Sequence, residues 1–350
     1  MNFSNILVAW YLSNQRDLPW RRTKDPYRIW LSEIILQQTR VAQGISYYLK
    51  FIEVFPTVFH LAAATEEEVL KLWQGLGYYS RARNLHFSAK MIVDNLKGVF
   101  PDNYQDLCCL KGVGDYTASA IASICYNQST AVVDGNVYRV LARYFGIYTP
   151  INTSKGVKEF KKLAQEVMCV SDYGQYNQAI MDFGALLCKP QKPLCQTCPL
   201  QESCAAYGKK EIGLLPLKEQ KGIVRKRYFN FMVFRMPDYQ TVLLQRKGKG
   251  IWQNLYQFPL IETHHTIDAQ TLIKHPDYID LIDNQKAILR LYNSKEWVYK
   301  LTHQHLYVQF WIVKTVVQTK DLVRIDSLQN YPVPRLLDKF MELYDFERDC

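Results

Sequence analysis

At 350 residues, 48% of them hydrophobic and 22% charged, the chain has the composition of two or three folded domains rather than of a disordered protein. Its net charge of +10 favours a polyanionic partner. No apolar run approaches the ~20 residues of a membrane span, and the opening MNFSNILVAWYLSNQRDLPW lacks the basic start and cleavage site of a secretory leader, so the chain is expected in the cytosol or a nucleus.

Residues 1–207 read as helices joined by short turns. Asp25 and Pro26 form an N-cap and first helical position, and apolar residues then recur at Ile29, Trp30, Ile34 and Leu36. Similar periodicity covers 66–75, 80–96, 117–126, 136–146, 155–169 and 174–187. Between the second and third of these lies Leu110-Lys111-Gly112-Val113-Gly114-Asp115-Tyr116-Thr117. Its two glycines allow a sharp hairpin, Val113 anchors it inward, and the next helix offers its N-terminus to an anion. Such a device holds a nucleic-acid backbone without reading sequence.

Four of the nine cysteines, Cys188, Cys195, Cys198 and Cys204, form C-x6-C-x2-C-x5-C. Four thiolates within one short loop suit a [4Fe–4S] cluster or a tetrahedral zinc. Zinc sites usually pair two C-x2-C knuckles, and here there is one. With no position left open for substrate, the metal's role is structural. Segment 209–227 carries seven Lys/Arg against two Glu, broken by Gly213, Pro216 and Gly222, and reads as a basic linker. Beyond it YFNFMVFRM, TVLLQRK, WVYKLTH and LYVQFWIVKTV are rich in β-branched and aromatic residues, as strands are.

The order of hairpin, Val133-Asp134-Gly135-Asn136-Val137 and cysteine loop resembles the helix-hairpin-helix superfamily of iron–sulfur DNA glycosylases. Within it, Asp17-Leu18-Pro19-Trp20-Arg21, the stretch Trp30–Thr39 and Gly75–Leu85 are similar to the MutY-type adenine glycosylases, which remove adenine mispaired with 8-oxoguanine or guanine. The resemblance implies a mainly α glycosylase region over 1–207 with a [4Fe–4S] loop at 188–204, a linker over 208–225 and an α+β Nudix-like domain over 226–350. It implies double-stranded DNA carrying an A:8-oxoguanine or A:G mispair as partner, no membrane, a monomer, and in a bacterium association with the nucleoid.

By the same resemblance Glu33 is the general acid that protonates adenine, and its apolar surroundings would keep a proton on it. Asp134 stabilises the oxocarbenium-like sugar, as carboxylates do in sugar hydrolases. Tyr116 and Asn136 support sugar and leaving base. Arg21 and Gln178 read the adenine edge. Gln38 and Tyr78 wedge into the duplex while Leu36 fills space, and Gly112, Val113 and Gly114 hold the backbone. Strand-nicking glycosylases carry a lysine nucleophile where this chain has Tyr116, and position 138 is Tyr138. A monofunctional enzyme that leaves an abasic site is therefore expected.

The best match to a Nudix-like domain is Gly250–Pro259, but the segment after Pro259 lacks the glutamate-rich helix that binds magnesium, so this domain is expected to bind rather than hydrolyse. The family reads 8-oxoguanine through a Phe-Ser-His turn. Here Leu301 and Thr302 replace the first two, and Thr302 with His303 keeps a hydroxyl and an imidazole.

Overall fold

The computed structural model describes residues 2–219, 224–283, 285–316, 319 and 321–347; Cys350 and positions 220–223 of the expected linker lie outside them. Its contacts form two compact units that do not follow chain order. Residues 1–64 and 84–220 make one, and 65–83 with 221–350 make the other.

Three of the first five helices have a local cause in a side-chain cap. Asn2 caps α1 (Phe3–Asn14) by accepting from the Asn5 N–H. Asp25 caps α2 (Pro26–Leu36) by accepting from the Tyr27 N–H, and Pro26 takes a position where no N–H is needed. After α3 (Val41–Val54) and α4 (Val58–Ala63), α5 (Glu66–Leu72) opens with a capping box between Thr65 and Glu68. There follow α6 (Ser80–Leu96), α7 (Tyr104–Cys108), α8 (Asp115–Tyr126), α9 (Gly135–Phe145), α10 (Ser154–Glu166) and α11 (Tyr173–Asp182). The pattern expected to run to Leu187 changes pitch after Asp182, where a π turn over Phe183–Leu187 delivers Cys188 to its loop.

In the first unit α8 is the central post, buried from Thr117 to Ile124. Its small residues let α11 come so close that a Cβ at Gly174 would lie 2.8 Å from the Ile124 Cα and 2.9 Å from the Ser123 carbonyl. Asn177 ties the two helices, its Nδ2 donating to Ser123 Oγ and to the Thr130 carbonyl, both at 2.8 Å. Past Gly208 the breakers prevent a helix, as the composition implies, yet the chain stays bound. Leu215 is buried, its carbonyl accepts from Arg143 Nε at 3.0 Å, and Glu219 exchanges two bonds with Asn152.

In the second unit β1 (Arg225–Arg235) begins inside the segment expected as linker. The stretch TVLLQRK is not one strand. β2 (Gln240–Val242) and β3 (Leu244–Gln245) separate because they pair with different partners, β9 (Leu322–Arg324) and β4 (Tyr256–Gln257) respectively. The main sheet also contains β5 (Leu260–Thr263), β6 (Ile288–Leu291), β7 (Trp297–Lys300) and β8 (Gln304–Lys314). β1 and β8 run parallel at its centre, Phe231 opposite Phe310, with β5 beside β1 and β6 and β7 beside β8. Residues 229–235 are buried without alternation, as central strands covered on both faces are. The helix Arg335–Leu343 covers one face, stacking Phe340 on Phe310 with centroids 4.0 Å apart.

Because backbone faces Gly174, the neighbours cannot yield to an added methyl. Gly174→Ala is expected to lower the unfolding free energy by about 2 kcal/mol in urea titration. An unchanged midpoint would mean that α8 and α11 are not packed this closely.

Candidate active site

A cavity of about 500 Å³ opens between α2, α8, α9 and α11. Its wall carries Glu33 and Leu36 from α2, Tyr116 from α8, Asp134 and Asn136 at the head of α9, Gln178 from α11, and Arg21 and Gln38 from adjoining segments. Residues remote in the chain thus share one concavity, and none of its lining residues is a lysine.

Glu33 sits low in this cavity, its neighbours Trp30, Ile34 and Ile35 fully inside the core. Burial drives its carboxyl from 4.5 to about 7, against the opposing effect of a hydrogen bond from Tyr116; the Asp134 charge adds to the rise and Arg21 reduces it. Burial and the two carboxylates hold the Tyr116 phenol well above its ordinary range, so it stays a neutral hydroxyl.

Asp134 is an N-cap and a cavity residue at once. One oxygen accepts from the backbone N–H groups of Asn136 and Val137 and the other from Asn136 Nδ2, all at 2.8 Å. Burial still raises its carboxyl above the ordinary value, with those bonds and the Arg139 charge pulling back. Asn136, which lines the cavity, also bonds within the protein: its Oδ1 accepts from Arg139 at 2.8 Å. Arg139 continues to the carbonyls of Gly184 at 2.7 Å and Cys188 at 2.6 Å.

Across the cavity, Arg21 donates twice to Asp182, at 2.6 and 2.8 Å, and Arg16 binds the same carboxylate. Burial works against the Asp182 charge, yet the two guanidinium groups hold its carboxyl below the usual range. Tyr11 donates to Gln178 Oε1 at 2.7 Å. Sequence reasoning missed Tyr11, Arg16, Asp182 and Arg139. For Asp182 a cue existed: an acid in the otherwise apolar AIMDFGALL, one turn after Gln178, needs a partner. Trp20, which lines the cavity and packs edge-on against Tyr48 at 5.2 Å, stood unassigned inside a recognised motif.

In the cysteine loop all four thiols are half-buried. Burial, against the Leu200 N–H and with the neighbouring Cys188, Cys204 and Cys195, pushes Cys198 up to about 11. The Ala206 and Tyr207 N–H groups reach Cys204, and Arg143 lies 3.5 Å from the Cys188 sulfur. Sulfurs that disfavour one another as thiolates, with N–H donors turned toward them, fit a bound iron–sulfur cluster. Among the described residues no group of three His, Cys, Asp or Glu side chains is arranged around a single ion.

The hairpin before α8 takes the expected shape for a different division of labour. Gly112 has φ +86°, and a Cβ there would lie 2.8 Å from that of Asn84. Gly114 is extended and unobstructed, so its missing side chain leaves the α8 N-terminus bare rather than permitting a turn. Val113 is buried. Gln38 is exposed with φ +55°, a left-handed conformation that is uncommon outside glycine.

In the second unit a separate cavity of about 500 Å³ is lined by Tyr78, Trp252, Tyr299, Thr302, His303 and Arg335, among others. Tyr78, exposed and left-handed at φ +47°, shares a short hydrogen bond with Thr302 at 2.5 Å. Thr302 and His303 occupy the turn between β7 and β8, closed by the Leu301 N–H on the Gln304 carbonyl at 2.8 Å.

Three family models match the chain. That for HhH-GPD superfamily base excision DNA repair proteins covers residues 31–166, that for the iron-sulfur binding domain of endonuclease III covers 188–204, and that for the NUDIX domain covers 230–343. An adenine DNA glycosylase of Buchnera aphidicola subsp. Baizongia pistaciae is 35% identical over 89% of this chain and 86% of its own length. One from Mus musculus is 43% identical over 61% of this chain and 43% of its own. The solved structure of a thermostable thymine-DNA glycosylase superposes with a TM-score of 0.55 at 30% identity, covering 59% of this chain and 95% of that one. The cysteine loop is thus an iron–sulfur binding domain, and its [4Fe–4S] cluster would be held by Cys188, Cys195, Cys198 and Cys204.

The wall bearing Arg21 depends on a carboxylate with no access to water. Asp182→Asn leaves two guanidinium groups without their counter-charge and is expected to cost about 3 kcal/mol in chemical unfolding. A loss below about 1 kcal/mol would place the charges in solvent.

Proposed function

Because the chain belongs to the adenine DNA glycosylases of the HhH-GPD base excision repair superfamily, we propose that it acts on adenine opposite 8-oxoguanine or guanine, with Glu33 as general acid and Asp134 as stabiliser of the sugar cation. The observation that carries this reading is a carboxyl raised to about 7 in the same cavity as a second carboxylate.

Adenine leaves poorly as an anion, so a proton must reach a ring nitrogen as the glycosidic bond breaks. Glu33, its carboxyl raised to about 7, supplies it, with the Tyr116 hydroxyl beside it. The bond's electrons leave with the base, and the positive charge on the deoxyribose faces Asp134. Water then adds, activated by Glu33 or Asp134. With tyrosine at 116 and no lysine among the cavity's lining residues, no amine forms a Schiff base, and the product is an abasic site.

A base inside a duplex cannot enter this cavity, so the nucleotide is extruded. Gly112, Val113 and Gly114 with the α8 N-terminus would grip a phosphate through backbone N–H groups. Gln38 and Tyr78, both exposed and both with left-handed backbone, would fill space in the duplex. Leu36 closes the pocket wall, and Arg21 and Gln178 read the adenine edge. Thr302 and His303 would contact 8-oxoguanine, with Tyr78 fixing the Thr302 hydroxyl. The cluster, when bound, braces its loop. Arg139 on α9 links the Cys188 carbonyl to Asn136, which in turn bonds Asp134.

In single-turnover assays, Glu33→Gln is expected to lower adenine excision at least about 100-fold while duplex binding persists. Since the acid must carry its proton, the wild-type rate constant falls as pH rises through about 7; a rate that climbs across this range would sink the assignment. Thr302→Ala is expected to reduce the preference for 8-oxoguanine over guanine about fivefold, the loss of one hydrogen bond. Equal slowing on both duplexes would make Thr302 a structural residue.

A further inference from the structure

A glutamine amide can face a ligand in two orientations, and here one is selected. Tyr11 stands on α1, 2% exposed, with its hydroxyl donating to Gln178 Oε1 at 2.7 Å. A buried phenol needs an acceptor for its proton. Among the described residues Gln178 is the one hydrogen-bond partner of this hydroxyl. Turning the amide over would aim Nε2 hydrogens at the phenol and take from the Tyr11 proton the one acceptor it bonds here. Arg21, 5.6 Å from the Tyr11 ring centre, carries donors alone and cannot take that role.

The amide therefore meets the cavity with Nε2 as donor and the free lone pair of Oε1 as acceptor. Adenine offers the complement: an exocyclic amino donor beside an acceptor ring nitrogen, on both its N1 and N7 sides. Hypoxanthine, the hydrolytic deamination product of adenine, carries an oxygen at position 6 and a hydrogen on N1. At the N1 edge its pattern is the reverse, and at the N7 edge its oxygen still opposes Oε1. We propose that Tyr11 is a positioning residue for specificity: by fixing the Gln178 amide it makes the pocket select adenine and reject 6-oxopurines. The inference rests on the reading of this cavity as the purine site, and it deepens that reading.

The test is single-turnover excision of adenine and of hypoxanthine, each placed opposite 8-oxoguanine, by wild type, Tyr11→Phe, Gln178→Leu and the double variant. Releasing the amide in Tyr11→Phe is expected to narrow the adenine-to-hypoxanthine rate ratio about tenfold. Gln178→Leu narrows it similarly, and the double variant adds nothing to the ratio, because Tyr11 acts through Gln178. Equal loss on both bases in Tyr11→Phe, with the ratio kept, overturns the proposal. Should Tyr11→Phe not fold by thermal melt, the Gln178→Leu ratio decides alone: unchanged selectivity there overturns it equally. Wild type that leaves adenine intact would instead defeat the purine-site reading, a separate outcome.

Discussion

A carboxylic acid keeps its proton near neutral pH where the anion is poorly solvated or lies beside another negative charge, and for Glu33 burial is the larger of the two causes. Its shift from 4.5 to about 7 corresponds to about 3 kcal/mol between the neutral and charged forms. The hydrogen bond from Tyr116 stabilises the charged form by less than burial destabilises it, so the bond orients the group without discharging its proton. The exclusion of water comes from packing. The α8 helix is lined with alanine and serine, which lets α2 and α11 approach, and Trp30, Ile34 and Ile35 seal the flank of α2.

The two carboxylates of this cavity differ in surroundings and so in task. Glu33 has one hydroxyl donor and an apolar flank, whereas Asp134 accepts three hydrogen bonds at a helix N-terminus. Donors of that kind favour an anion, and they move the second carboxyl toward the charged form even though burial opposes them. Arg139 extends this arrangement outward. It holds Asn136 on one side and, on the other, the Gly184 carbonyl of the π turn and the Cys188 carbonyl where the cysteine loop begins. Asp134 is thus linked through Asn136 to the segment that carries the cysteines.

Local signals made the helices, the hairpin, the cysteine loop and the motif-borne residues legible in the sequence, because caps, glycines and short spacings are written within a few positions. What was illegible depends on distance. Tyr11 and Gln178 lie 167 residues apart, and Arg21 and Asp182 161; nothing near either member announces the other. Asn136 was legible as a motif member, but its bond to Arg139 was not. The division of TVLLQRK was hidden for the same reason, since β2 and β3 are separated by the partners they find and not by their own residues. The capping box at Thr65 announces a helix but gives no sign that residues 65–83 group with the C-terminal portion.

That last grouping bears on how the gene could be shortened. In the second unit Lys71 and Tyr79 donate to the carbonyls of Tyr331 and Val333, Gln74 donates to Asp338, and Glu66 receives Asn254. A stop codon placed at the apparent interdomain boundary would delete all of these acceptors and donors while leaving their counterparts in the surviving fragment. The early segment would then present stranded polar groups and uncovered apolar surface to solvent. The boundary that looks natural along the chain is therefore a poor place to cut, and a premature termination there would injure the part of the protein made before it.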